Sequence, residues 1–128
     1  MRTRQVPRAE WEPFFNAFTR RHEGWLATVR VIDSRIGSQV EARDLPLEGI
    51  VVGRSQGGSL SILLGKRPDA NVEHPVERPE QVWVEITDQG AEAALEIVSA
   101  DGRRTILEFR TAVTPEEVDG LVREPAVD

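Results

Sequence analysis

Gln81-Val82-Trp83-Val84-Glu85-Ile86-Thr87-Asp88-Gln89-Gly90, Ala91-Glu92-Ala93-Ala94-Leu95-Glu96-Ile97-Val98-Ser99-Ala100 and Asp101-Gly102-Arg103-Arg104-Thr105-Ile106-Leu107-Glu108-Phe109-Arg110 form one continuous stretch. It holds three strand-like runs joined by two short turns. Val82, Val84 and Ile86 alternate with Trp83 and Glu85, the period of two expected of a strand with one buried face. The runs over 93–98 and 104–110 flank Ala100-Asp101-Gly102. A loop of those three residues puts Leu95, Ile97, Leu107 and Phe109 on one face, and Glu96, Arg104, Glu108 and Arg110 on the other. A two-residue Asp-Gly loop would split the apolar set between faces, because a slip of one residue flips every side chain. The apolar pattern therefore selects the longer loop, with Gly102 in the left-handed conformation that glycine adopts without steric cost. The charged face reads as solvated sheet surface.

Outward from this stretch, the chain reads as strands preceded by a helix. Trp11, Phe14, Phe15, Phe18 and His22 recur at helical spacing and make an aromatic stripe. Pro13 interrupts the pattern, so the spacing predicts a turn over 7–11 and a main helix from Pro13, stopped at Gly24. Strands are expected over 25–32, 39–44, 48–52 and 60–64, with a short edge strand around 72–76. Pro46 separates the second and third of these. Residues 1–6 read as an extended or frayed arm. Thr114-Pro115-Glu116-Glu117 has the form of a capping box and predicts a short C-terminal helix, with residues 123–128 fraying. The fold class is α+β: an N-terminal helix on a curled antiparallel sheet or small β-barrel of about six or seven strands.

The 128 residues make one domain, residues 1–128, large enough to bury a core unaided. There is no cysteine, which excludes disulfides and thiolate chemistry. No apolar run approaches the roughly 18 residues that a membrane span needs, and no apolar signal core follows Met1-Arg2-Thr3-Arg4. A cytoplasmic, non-membrane protein is the expectation. A formal net charge of −6 argues against nucleic-acid binding, which is led by phosphate neutralisation. The charge is uneven: residues 1–35 hold seven Arg against four acids, and the remainder is acidic.

The chain resembles a family of small bacterial proteins catalogued as a domain of unknown function. The resemblance rests on Arg21-His22-Glu23-Gly24-Trp25, on Glu41-Ala42-Arg43-Asp44-Leu45-Pro46-Leu47-Glu48-Gly49-Ile50, and on Leu95-Glu96-Ile97 with Ala100-Asp101-Gly102 and Phe109-Arg110. It implies a bacterial cytoplasmic protein and carries no activity, cofactor or site residue with it.

Five residues are candidates for binding. Arg43, Asp44 and Glu48 belong, with Glu41, to the densest polar cluster, where Arg43 could clamp a carboxylate or phosphate or pair with its neighbouring acids. His22 and His74 are the only histidines. They lack the local spacing of a metal-ligand motif, so no metal or cofactor is expected. His22 extends the aromatic stripe and reads as a packed or capping histidine; His74, beside Pro75, reads as exposed. A triad of Ser59 or Ser61 with His74 has no nucleophile elbow to support it. Gly53 to Ser59 lacks the Lys-Ser/Thr and the following helix of a phosphate loop. The functional expectation is a non-enzymatic binding or interaction module able to form a homo-oligomer, because an antiparallel sheet has edges to manage. The alternative is a small-molecule-binding barrel, or a metal-independent enzyme using acids and Arg in an interior pocket.

Overall fold

The computed structural model describes residues 1–53, 58–65 and 71–110. Strand β1 (Arg2–Val6) leads through a 3-10 turn (Arg8–Glu10) into helix α1 (Trp11–His22). Then come β2 (Leu26–Asp33), β3 (Gly37–Gly53), β4 (Ser59–Leu64), β5 (Val72–Glu77), β6 (Pro79–Ile86), β7 (Glu92–Ser99) and β8 (Arg104–Phe109). They form one eight-stranded sheet in the order β1-β6-β7-β8-β2-β3-β4-β5. Every neighbouring pair is antiparallel. The α+β class is as expected; among the described residues the sheet curls without closing, and β1 and β5 are its edges.

The hairpin register follows the apolar pattern. Leu95 faces Leu107 and Ile97 faces Thr105, while Glu96 faces Ile106 and Ala94 faces Glu108 on the other side. The Ser99 N–H donates to the Arg103 carbonyl at 2.9 Å and the Gly102 N–H donates to the Ser99 carbonyl at 2.9 Å. The loop is thus Ala100-Asp101-Gly102, and Gly102 has φ +90°. On the outer face Arg104 meets Glu96 at 3.1 Å, and Arg30 of β2 meets Glu108 at 2.9 Å.

Several expectations are corrected. The N-terminal residues are not a frayed arm: they pair with β6 from Arg2 opposite Ile86 to Val6 opposite Val82. Arg2-Thr3-Arg4-Gln5 carries no apolar alternation, so this strand is made by backbone pairing to a distant partner. The N-terminal ammonium also pairs with Asp88. With β1 included, the described residues form eight strands rather than six or seven. The two strands expected over 39–44 and 48–52 are one strand, β3. Asp44 takes φ +53°, and its N–H donates to Thr28 Oγ1 at 3.1 Å. The register against β2 slips on both sides of Val29. This bulged bend lets β3 turn from β2 toward β4, and Pro46 is accommodated there. The helix starts at Trp11 rather than Pro13; Pro13 falls in the first turn, whose N–H groups have no intrahelical acceptor. The expected C-terminal helix and fraying end lie outside the described residues.

The aromatic stripe of α1 packs into the concavity of the sheet. Trp11, Phe15, Phe18 and His22 are buried and Phe14 is half-buried. Phe18 stacks on Phe109 with ring centroids 5.7 Å apart, and the Trp11 indole N–H donates to the Val6 carbonyl at 2.9 Å. The helix also lies directly on β3. The Ile50 N–H donates to Thr19 Oγ1 at 3.1 Å, and a Cβ on Gly49 would come within 3.3 Å of the Thr19 methyl. Among the described residues no helix is long and apolar enough to cross a membrane.

Phe18 is 0% exposed, so Phe18→Ala is expected to cost about 3–5 kcal/mol by denaturant titration; a loss below about 1 kcal/mol would mark α1 as peripheral to the core. At Gly102 a Cβ meets open space, so Gly102→Ala isolates the backbone term. Its expected cost is roughly 1–2 kcal/mol, and an unchanged midpoint would contradict a required left-handed residue.

Candidate functional site

Directly opposed residues share a sheet face, so the registers define rows across the concave face. One row is apolar: Leu95, Leu107 and Val29. The next is mixed: Ile97, Thr105, Val31 and Gln39. The last is polar: Asp33 stands opposite Gly37, Arg103 follows Ser99 around the turn, and Arg103 Nε lies 3.4 Å from Asp33 Oδ2. The interior surface thus changes from hydrocarbon to polar at one end of the sheet. Strand β5 faces that end. Leu60, Ile62 and Leu64 of β4 are buried and stand opposite Val76, His74 and Val72. Those three β5 side chains therefore point inward, with His74 toward the polar rows.

Between them opens a cleft of about 420 Å³. The consecutive residues His74, Pro75, Val76, Glu77 and Arg78 form one wall, with Asp33, Glu41, Ser99, Asp101, Arg103 and Thr105 across from them. Four carboxylates (Asp33, Glu41, Glu77, Asp101) stand against two guanidiniums (Arg78, Arg103), so the lining is net acidic. Asp33 is buried and held ionised. Its carboxyl lies below its ordinary range, first because it accepts the Arg35 N–H at 2.8 Å and then because Arg35 and Arg103 flank it. His74 is shifted down by burial, against the opposing pull of Glu41 and with a push from Arg103. The uncharged imidazole is thus favoured in a cleft that offers both hydrogen-bond acceptors and donors.

The sequence candidates fall in different places. His74 is not simply exposed: it is half-buried and lines the cleft, because its strand position shares the inward face with Val72 and Val76. Arg43 and Asp44 are exposed and outside the cleft, Asp44 serving the bend of β3, while Glu48 lies half-buried farther along that strand. Of the polar cluster around residue 43, only Glu41 reaches the cleft. Ser61 and His74 project from opposite faces: Ser61 stands opposite Pro75 and donates to Glu73 Oε2 at 3.1 Å, so the imagined triad has no geometry. His22 is 3% exposed and belongs to the core. Its Nδ1–H donates to the Phe18 carbonyl at 2.8 Å, and its ring lies 4.7 Å from that of Phe109 and 4.6 Å from that of Trp25. His22 Nε2 is 3.4 Å from Glu92 Oε1, and Arg21 clamps Glu92 at 2.8 Å. Among the described residues no group of three or more His, Cys, Asp or Glu could hold a metal ion.

Asp33 and Arg103 escaped the sequence reading, although a signal existed. Ala27, Val29 and Val31 set the inward parity of β2, and Asp33 continues it. An acid at an inward position is a buried carboxylate in need of a partner. Arg103 has the parity of Leu107 and Phe109 and supplies that partner.

A family model matches residues 2–118, from the first strand to beyond the last. The chain belongs to this family, the family of unknown function DUF5335. An uncharacterized protein from Aquifex aeolicus (strain VF5) is 27% identical over 113 residues, covering 88% of this chain and 96% of the relative. The matched span of the DUF5335 chain includes every described element and the whole cleft. No solved structure matches it.

Both histidines are shifted down from 6.5, His22 mainly by burial, opposed by its Phe18 hydrogen bond and by Glu92. The unfolded chain then takes up protons first as the pH falls. The histidine contribution to stability is complete above pH 6.5 and is lost on acidification through the lowered folded values. Denaturant midpoints should therefore drop between neutral pH and the mildly acidic range, with a shallower drop in His22→Gln. A midpoint that rises on acidification would show instead that an imidazolium–Glu92 pair outweighs burial.

Proposed function

We propose that this protein is a non-enzymatic binding module of the bacterial cytoplasm, whose partner is an extended, positively charged segment seated in the cleft along β5. One observation carries the reading: among the described residues β5 has β4 on one side only, and five consecutive β5-side residues form a cleft wall. An edge strand presents unpaired backbone N–H and C=O groups, and an added strand satisfies them. The acids of the lining set the sign of the partner. The absence of cysteine accords with a reducing compartment.

A second reading, a small-molecule site or an enzyme working with acids and a base, has one feature in its favour: His74 and Glu41 line the same cleft of about 420 Å³, a size in the range of ligand pockets. Arg43 and Asp44, which that reading first recruited, stand elsewhere.

The test is NMR titration of nitrogen-labelled protein with short synthetic peptides that are Arg-rich, Asp-rich or uncharged. The Arg-rich peptide should shift the amides of His74, Val76, Glu77 and Arg78 and of Glu41. Glu41→Lys should weaken that binding by about tenfold, as expected for reversing one charge in a complementary contact. Shifts confined to the outer face of β6, β7 and β8, or equal responses to all three peptides, would defeat the reading.

A further inference from the structure

Arg2 and Arg4 stand opposite Ile86 and Val84 and share the inward parity of Val6. They are charges on the concave face, at the margin where β1 meets α1. Arg4 lies over the Phe14 ring, 5.8 Å from its centroid. α1 turns Phe14, Ala17 and Arg21 to one side, and Arg21 pairs with Glu92 at the start of β7. A strip of surface between β1 and α1 thus has the half-buried Phe14 and Ala17 along its floor and the exposed Arg2 and Arg4 on its rim. Among the described residues neither arginine pairs with an acid. Inward charges can serve simply to blunt a sheet edge, but that role needs no partly open aromatic ring beside them.

One segment of this chain has the complementary chemistry. Residues 111–128 carry Glu116, Glu117, Asp119, Glu124 and Asp128 against Arg123 alone. After the capping box Thr114-Pro115-Glu116-Glu117, Val118, Leu121 and Val122 recur at helical spacing, and at that spacing Glu117 and Asp119 flank the apolar stripe. We propose that this segment docks on the strip between β1 and α1 of its own chain, with Val118, Leu121 and Val122 on Phe14 and Ala17 and with Glu117 and Asp119 toward Arg2 and Arg4. Its point of departure favours this. The Arg110 N–H donates to the Leu26 carbonyl at 2.9 Å, and Arg110 leaves β8 at the end of the sheet that also holds Glu92, Ile86 and Arg2. β8 and β1 are three strand spacings apart in the sheet order, about 14 Å at roughly 4.8 Å each. The steps from Arg110 to Pro115, at about 3.3 Å each, span about 16 Å, so the capping box can stand beside β1. Tethering gives the segment a local concentration on the order of millimolar, enough to fill a site of modest affinity. The family match also continues past Arg110 to residue 118. The strip lies toward the opposite end of the sheet from the cleft, so this inference is independent of the cleft reading.

The chain has no cysteine, so Gly120→Cys gives one attachment point for a nitroxide, on the side away from the apolar stripe. In the full-length, nitrogen-labelled chain the nitroxide should broaden the amides of Arg4, Phe14 and Ala17, and its reduction should sharpen them again. Arg2→Glu/Arg4→Glu should weaken the contact by about tenfold, since it opposes like charges. Adding Glu117→Arg/Asp119→Arg to that chain should restore the broadening, a recovery inaccessible to a misfolded protein. Glu117→Arg/Asp119→Arg alone, which leaves every described residue native, should release the contact as well. With the arginines intact, sharp signals at Arg4, Phe14 and Ala17 overturn the proposal, as does broadening that charge reversal leaves unchanged. So does broadening that persists in full when the nitroxide and the nitrogen label are carried by different molecules in a mixture, because the segment would then sit on a second copy.

Discussion

β3 belongs to two halves of the sheet at once, and the bend that permits this controls the rest of the molecule. Its first part pairs with β2 and its second with β4. The change of direction is made at Asp44, whose left-handed backbone is tied to β2 through Thr28. A straight β3 would leave a flat sheet with its apolar rows facing water. The bend folds β4 and β5 back over those rows and makes a concavity deep enough for an aromatic helix. It also leaves a seam, because β5 comes to face the far end of β2, β7 and β8 without pairing to them. Core and cleft are thus two consequences of one deformation.

How the interior is filled follows from the same curvature. α1 contributes rings and the sheet contributes Phe109, which lies against both Phe18 and His22. His22 is acceptable in that setting because its Nδ1–H has a backbone acceptor one helical turn back and its Nε2 faces Glu92. Glu92 in turn is gripped by Arg21 through both oxygens. The last turn of the helix is therefore fastened to β7 by a polar clasp at the margin of an aromatic core.

What could be read from the residues depended on the range of the interaction. The hairpin of β7 and β8 was legible in full, including the loop length and Gly102, because alternation and turn chemistry are local. The helix stripe was legible for the same reason, with an error only at its start, where Pro13 is tolerated by the first turn. β1 was not legible: Arg2-Thr3-Arg4-Gln5 has no pattern of its own, and its strand exists because β6 offers an edge. The continuity of β3 through Pro46 was hidden because the bulge that accommodates it is a property of its pairing with β2. The cleft was half legible. His74 was singled out without its setting, and Glu41 was placed in a cluster that the fold divides. Asp33 could have been found by extending the parity of β2 by one step. That β5 would close over it could not, since this depends on the bend at Asp44.

The pairing of β1 with β6, and of Phe18 with Phe109, joins the beginning of the described chain to its end. This sets an order of assembly. Hairpins such as β7–β8 close over short loops and form early, whereas β1 and α1 have no surface to dock on until β6 and β8 exist. During synthesis the helix emerges well before the strands that cover it, with Trp11, Phe14, Phe15 and Phe18 uncovered, and the partner of its central ring comes with β8, the last described strand. The nascent chain must therefore carry an exposed aromatic face through most of its translation. The interval ends only when β8 has left the ribosome, so conditions that slow elongation through the final hairpin prolong the period in which this face is open to chaperones or to other chains.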